Sequence, residues 1–184
     1  ERFLLPQLPP IDALSAWGGP YGNPKDFEIG RISIEAKARR GAARPFITIS
    51  SEYQLDETGV DSFFLHVAEL DRIPIDADSG FTLTDAANRV GQTMREIDEG
   101  SMDLFDSLLT SAGFNWSDDY SPWRWIEGPS RIYSVSSDFP RITPLNVRTG
   151  VVDVRYSISL VECHPFLTDE TNLVDAIRRQ LHGG

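Results

Sequence analysis

The sequence predicts a mixed α/β fold, a central mixed β-sheet flanked by helices and followed by a C-terminal strand pair and helix. Three observations predict it. Residues 26–37 alternate polar and apolar across a glycine turn, as paired strands do. Residues 63–70 form the most apolar run, as a central strand buried on both faces would. Three amphipathic stretches carry helix-start signals: 84–97 after Thr84, 101–112 from Ser101 to Gly113, and 168–181 from Thr168. Strands and helices interspersed in this way call for a sheet with helices packed on it.

The elements follow in order. Residues 1–16 read as the end of a helix, Pro-rich turns, and a short helix near 11–16. Gly18-Gly19-Pro20-Tyr21-Gly22-Asn23-Pro24 is a loop, punctuated throughout by Gly and Pro. Asp26–Ile29 and Arg31–Lys37 are strands about Gly30. In the second, Ile32, Ile34 and Ala36 share a face expected to meet the core, while Ser33, Glu35 and Lys37 share the other. Gly41–Ala43 is a loop, Phe46–Ser50 a strand, and Ser50–Leu55 the start of a short helix capped by serine. Residues 71–80 are an acidic loop and 114–129 a Trp-rich connection. Strands return at 131–136 and 151–163. The expected organisation is a core over 1–115 with an extension over 116–184 packed on it, one domain in all.

Composition narrows the function classes. The chain has 184 residues, enough for a sizeable core. No stretch approaches the roughly 18 to 20 apolar residues of a membrane span. The opening Glu1–Pro6 segment lacks a long apolar region and a small-residue cleavage site, so it does not read as a signal peptide. The chain opens on Glu1 rather than Met, as a fragment or a processed chain does. A single cysteine, Cys163, excludes an internal disulfide and a cysteine zinc site, and with it points to the cytoplasm. His66, His164 and His182 form no close pair.

Net charge is −11, which by itself argues against nonspecific binding of nucleic acid. Its distribution is uneven. Lys37, Arg39, Arg40 and Arg44 stand together with no acid among them, whereas residues 52–78 hold eight acids against Arg72. A basic rim beside an acidic back is the expected arrangement, although these arginines could equally solvate a hairpin loop.

The chemistry-bearing group is Asp26, Glu35 and Lys37. Residues i and i+2 of a strand project to one face about 6.5 to 7 Å apart, so Glu35 and Lys37 can reach one small site. A hairpin about Gly30 brings Asp26 to Glu35 across the sheet. Two converging carboxylates repel and call for a divalent cation such as Mg²⁺, to which the Ala36 carbonyl is also available. A cation there activates water and polarises a phosphoryl oxygen, while Lys37 orients or deprotonates that water. On its own, Glu-x-Lys on a strand is equally the pattern of a cross-strand ion pair.

Other patterns fall short. Ser50, Ser51 and His66 lack a Gly-x-Ser-x-Gly elbow. The glycine-rich loop lacks the Lys-Ser/Thr ending of a phosphate-binding loop. Trp116, Trp123 and Trp125 could stack on bases, but packing against the sheet is the commoner use. Asp118-Asp119 reads as a solvated turn.

Asn23-Pro24-Lys25-Asp26, Ile34-Glu35-Ala36-Lys37 and Ile49-Ser50-Ser51-Glu52-Tyr53-Gln54-Leu55-Asp56, with Ala16–Pro20 and Asp138-Phe139-Pro140-Arg141-Ile142, resemble the "PD-(D/E)XK motif protein" family of prokaryotic phage-defence islands, a branch of the restriction-endonuclease-like superfamily. The resemblance spans about residues 1–165 and rests on the order and spacing of short motifs. It departs from a contiguous Pro-Asp, because Lys25 intervenes. It implies a restriction-endonuclease-like core and a Mg²⁺- or Mn²⁺-dependent endonuclease acting on DNA in restriction or phage defence. Asp26 and Glu35 are then metal ligands, Lys37 is catalytic, and Gln54 touches substrate or braces the site. Glu1 falls where related nucleases place a further glutamate ligand. Lys25, Arg39, Arg40 and Arg44 would hold the DNA backbone. The alternative is a non-catalytic nuclease-like subunit that binds DNA or a partner in a defence complex. Other defence proteins and a second copy of the chain are the expected protein partners.

Overall fold

The computed structural model describes residues 1–182. Seven strands and four α-helices follow in order: α1 Pro10–Ser15, β1 Phe27–Ile29, β2 Ile32–Arg39, β3 Phe46–Ile49, β4 Ser62–Ile73, α2 Leu83–Ile97, α3 Met102–Ser111, β5 Arg124–Ser134, β6 Tyr156–Ser159, β7 Leu167–Thr168 and α4 Glu170–His182. Five strands form a mixed sheet in the order β1-β2-β4-β5-β7, in which β2 and β4 are parallel and the other neighbours antiparallel. β3 and β6 pair antiparallel in a separate two-stranded sheet.

Three layers result. Ile32 and Ile34 of β2, Phe64 of β4 and Ile132 of β5 face the helices, meeting Leu14, Met94, Phe105, Leu108, Leu173 and Ile177. The opposite face presents Phe63, Leu65 and Val67 to the small sheet, whose Ile47, Ile49 and Ile158 close over it. Each fully buried aliphatic side chain contributes roughly 1.5–3 kcal/mol of transfer free energy, so both faces of β4 hold the molecule together. That two-sided burial is what the apolar run at 63–70 predicts.

The β1–β2 turn forms as expected. Ile29 opposes Ile32, leaving Gly30 and Arg31 as a two-residue turn. Gly30 adopts φ +56°, a value costly to any residue with a Cβ. β2 and β4, being parallel, need a crossover, and residues 40–61 supply it with β3 inside.

Several boundaries differ from the sequence expectation, each for a tertiary reason. Ser50–Leu55 is a series of turns, not a helix, because Gln54 folds back on the Ser50 amide. β4 runs on to Ile73 through the expected acidic loop, since β5 pairs with it as far as Arg124. β5 itself starts inside the Trp-rich connection. It tolerates Gly128 and Pro129 because Ala68 and Leu70 oppose Ser130 and Glu127, a bulge that spares Pro129 a ladder bond. The strands at 124–134 and 156–159 do not pair with each other, because one completes the main sheet and the other joins β3. Trp116 packs edge-on against Phe114 and donates its Nε1–H to Asp106 at 3.1 Å.

The cap of α2 is Thr82, not Thr84. Its hydroxyl accepts from the Asp85 amide at 3.1 Å, while Asp85 Oδ2 accepts from the Thr82 amide at 2.8 Å. This reciprocal box satisfies two otherwise orphaned amides. Thr82→Ala is expected to cost about 1 kcal/mol in urea denaturation, and Thr84→Ala a few tenths at most. Equal costs for the two would contradict this boundary.

Candidate active site

The site is built on β2. Ser33, Glu35 and Lys37 lie on the face turned to the small sheet, in register with Phe63, Leu65 and Val67 of β4. Ala36, expected in the core, is exposed, so the helical cover that buries Ile32 and Ile34 stops before it.

The β1–β2 register, continued one residue beyond Phe27–Ile34, places Asp26 opposite Glu35 on the same face. The structure fixes the relation directly: Asp26 Oδ2 accepts the Ala36 amide hydrogen at 2.8 Å. The Gly-rich loop holds Asp26 from behind. The Gly18 amide donates to the Asp26 carbonyl at 2.9 Å, and a Cβ on Gly18 would lie 2.9 Å from the Lys25 carbonyl and the Asn23 side chain. This loop is therefore a brace for the carboxylate.

Glu35 has no exposed surface. Lys37 Nζ pairs with Glu35 Oε1 at 2.5 Å, and no other side chain among the described residues hydrogen-bonds this carboxylate. Burial pushes the Glu35 carboxyl up to about 7, a rise opposed by the Lys37 ammonium and reinforced by the negative charge of Asp26. Lys37, with its side chain 17% exposed, is the group that leads from Glu35 toward solvent. It also donates to Gln54 Oε1 at 3.3 Å, and the same oxygen accepts from the Ser50 amide at 2.7 Å. Gln54 thus braces Lys37.

Asp26, Glu35, Lys37 and Gln54 are brought together, with the Ala36 backbone between them. The remaining expected site residues are used elsewhere. Glu1 pairs with Arg89 of α2 at 2.9 Å and lines an apolar cavity of about 450 Å³ under α2 and α3. Among the described residues no third acid, histidine or cysteine stands with Asp26 and Glu35 as a ligand cluster, so Glu1 does not join them. Lys25 is 7% exposed, its ammonium 5.3 Å from the Phe63 ring centroid and 4.0 Å from Glu28 Oε1. Arg39 is turned inward: Nη1 lies 2.5 Å from Glu69 Oε1, and Nη2 donates to the Gly41 and Ala43 carbonyls, tying down the 40–44 loop. Lys25 and Arg39 are therefore not surface cations. Arg40 and Arg44 are exposed. His66 is half-buried against Phe3, away from Ser50 and Ser51, and burial lowers its pKa.

Sequence reasoning missed Arg141 as part of this neighbourhood. Its guanidinium donates to the Leu55 carbonyl at 2.9 Å and pairs with Glu57 at 2.6 Å, both next to Gln54. The Asp138–Ile142 motif was the available signal.

The fold holds Glu35 at about 7 against an ordinary value of 4.5, so it favours the protonated form. Its contribution to stability is fully present below about pH 4.5, falls as pH rises through the window to 7, and stays lost above it. In EDTA, Glu35→Gln is expected to be more stable than wild type at pH 8 and to lose that advantage at pH 4.5, as read by urea denaturation. An advantage independent of pH would contradict the buried, elevated carboxyl.

No curated protein and no solved structure matches the chain. No helix among the described residues is long and apolar enough to cross a membrane. Residues 1–161 match the family described as "Putative PD-(D/E)XK family member, (DUF4420)". The mixed sheet flanked by helices is consistent with that match, and the chain belongs to this PD-(D/E)XK family, with its nuclease-like fold.

Proposed function

We propose that this chain is a Mg²⁺- or Mn²⁺-dependent DNA endonuclease acting in restriction or phage defence. The observation that carries the reading is the fully buried Glu35 carboxylate, held between a second carboxylate and the Lys37 ammonium. A buried carboxylate costs several kcal/mol unless paired or coordinated. Its oxygens and the adjoining Asp26 suit a hard divalent cation, which takes oxygen ligands. Asp26, Glu35 and the Ala36 carbonyl would hold it.

Bound there, the cation would supply Lewis acidity, easing deprotonation of water and offsetting charge on the phosphate. The protein's own groups do the rest. Asp26 is fixed by the Ala36 amide and the Gly18 loop, so its carboxylate needs no reordering. Lys37 stands between Glu35 and solvent, where it orients the attacking water and donates to a phosphate oxygen. Gln54 fixes the Lys37 amine. Arg40 and Arg44 hold the DNA backbone, positioning the strand without reading its sequence.

A second reading has its own support. The chain carries −11, and Lys25 and Arg39 make internal contacts, which leaves fewer free cations beside the site for DNA. In that reading the chain is a nuclease-like subunit that engages DNA through a second copy or another defence protein.

Plasmid incubated with Mg²⁺ or Mn²⁺ separates the two. Wild type is expected to nick it, and Glu35→Ala and Lys37→Ala to lose at least about 100-fold in rate. Nicking retained in both variants would remove the site from the reaction, and no nicking by wild type would favour the subunit. Mg²⁺ is further expected to raise the melting temperature of wild type and not that of Asp26→Asn, a reading of the metal site that needs no activity.

A further inference from the structure

We propose that Arg141 is a positioning residue for Lys37, acting through the turn at residues 50–57. The proposal rests on Lys37 being the group that serves the attacking water, but the contact it concerns can be measured without any reaction.

The path is short and polar. Gln54 Oε1 accepts from the Ser50 amide and from Lys37 Nζ, closing the near end of the turn on the site. The far end is closed by Arg141. Nη1 donates to the carbonyl of Leu55, the residue after Gln54, at 2.9 Å, and Nη2 lies 2.6 Å from Glu57 Oε1. The Arg141 side chain is only 7% exposed, and Leu55 is fully buried. The planar guanidinium presents its donors in a rigid fork, which holds the carbonyl and the carboxylate in one fixed geometry.

Arg141 is itself anchored. The neighbouring Ile142 carbonyl accepts the Tyr156 hydroxyl at 3.1 Å, and Phe139 is buried edge-on against Tyr133 and Phe166. Without Arg141, the Leu55 carbonyl and Glu57 lose their partner, the turn loosens, Gln54 no longer holds its angle, and the Lys37 amine keeps Glu35 as its remaining contact.

Lys25 and Lys37 are the chain's two lysines, so amine labelling reads the contact cleanly. Folded protein is treated with limiting acetic anhydride, and the Lys37-to-Lys25 labelling ratio is taken by peptide mass spectrometry. Loss of one hydrogen bond is expected to raise the ratio about threefold in Gln54→Ala and comparably in Arg141→Met. An unchanged ratio in Arg141→Met beside a raised one in Gln54→Ala overturns the proposal, as does an unchanged ratio in Gln54→Ala. If Arg141→Met unfolds, both lysines accelerate together, and Glu57→Ala then decides. A selective rise at Lys37 supports the positioning role, and no change overturns it. Because labelling needs neither DNA nor metal, absence of nicking would count against the proposed activity and leave this result standing.

Discussion

The Glu35 carboxylate sits in a layer that water does not reach, between the main sheet and the β3–β6 pair. Putting a carboxylate there costs several kcal/mol unless neighbouring charge compensates, and the surrounding structure supplies that compensation locally. Lys37 follows two residues later on the same face, and Gln54 steadies Lys37. Asp26 adds charge of the same sign, which makes the layer less comfortable for an ionised Glu35. The inward faces of Ile47, Ile49 and Ile158 keep the layer dry, and dryness strengthens each of these electrostatic terms.

The part of this arrangement legible in the sequence is the part set by local geometry. Period-two alternation over Arg31–Lys37 put Glu35 and Lys37 on one face, and Gly30 marked the turn that brings Asp26 back. Both relations depend only on strand pleat and turn length, so they survive folding into any sheet. The apolar run at 63–70 likewise announced a strand covered on both sides. The extended register with β5 was hidden, because Pro129 argues against a strand until the bulge opposite Ala68 and Leu70 is seen.

What could not be read was the destination of charged side chains. Arg39 looks like a surface cation beside Arg40, yet Glu69, thirty residues away, draws it inward. Lys25 precedes the catalytic-looking aspartate, yet its ammonium lies over Phe63. The resemblance suggests Glu1 as a further metal ligand, yet Arg89 holds it. In each case the partner comes from a distant segment, so no spacing rule reports it. The turn at Ser50–Leu55 was read as a helix for the same reason: its shape is set by the Gln54 side chain and by Arg141 from far along the chain. The family match covers this same stretch of chain and gives the fold its kinship; the partners of individual charges are set by the three-dimensional packing.

The parallel pairing of β2 with β4 has a consequence for how the molecule comes into being. A hairpin can close early, but a parallel pair must wait for its crossover, and here the crossover carries β3, whose own partner β6 lies more than a hundred residues downstream. The dry layer that gives Glu35 its character is therefore sealed by some of the most sequence-distant contacts in the chain. Chains rich in such contacts fold slowly, because loop entropy is spent before the pairing rewards it. During synthesis the β1–β2 turn can emerge and fold while Glu35 is still hydrated and ordinary. The carboxylate reaches its buried environment only once β6 is available to pair with β3 and seal the layer.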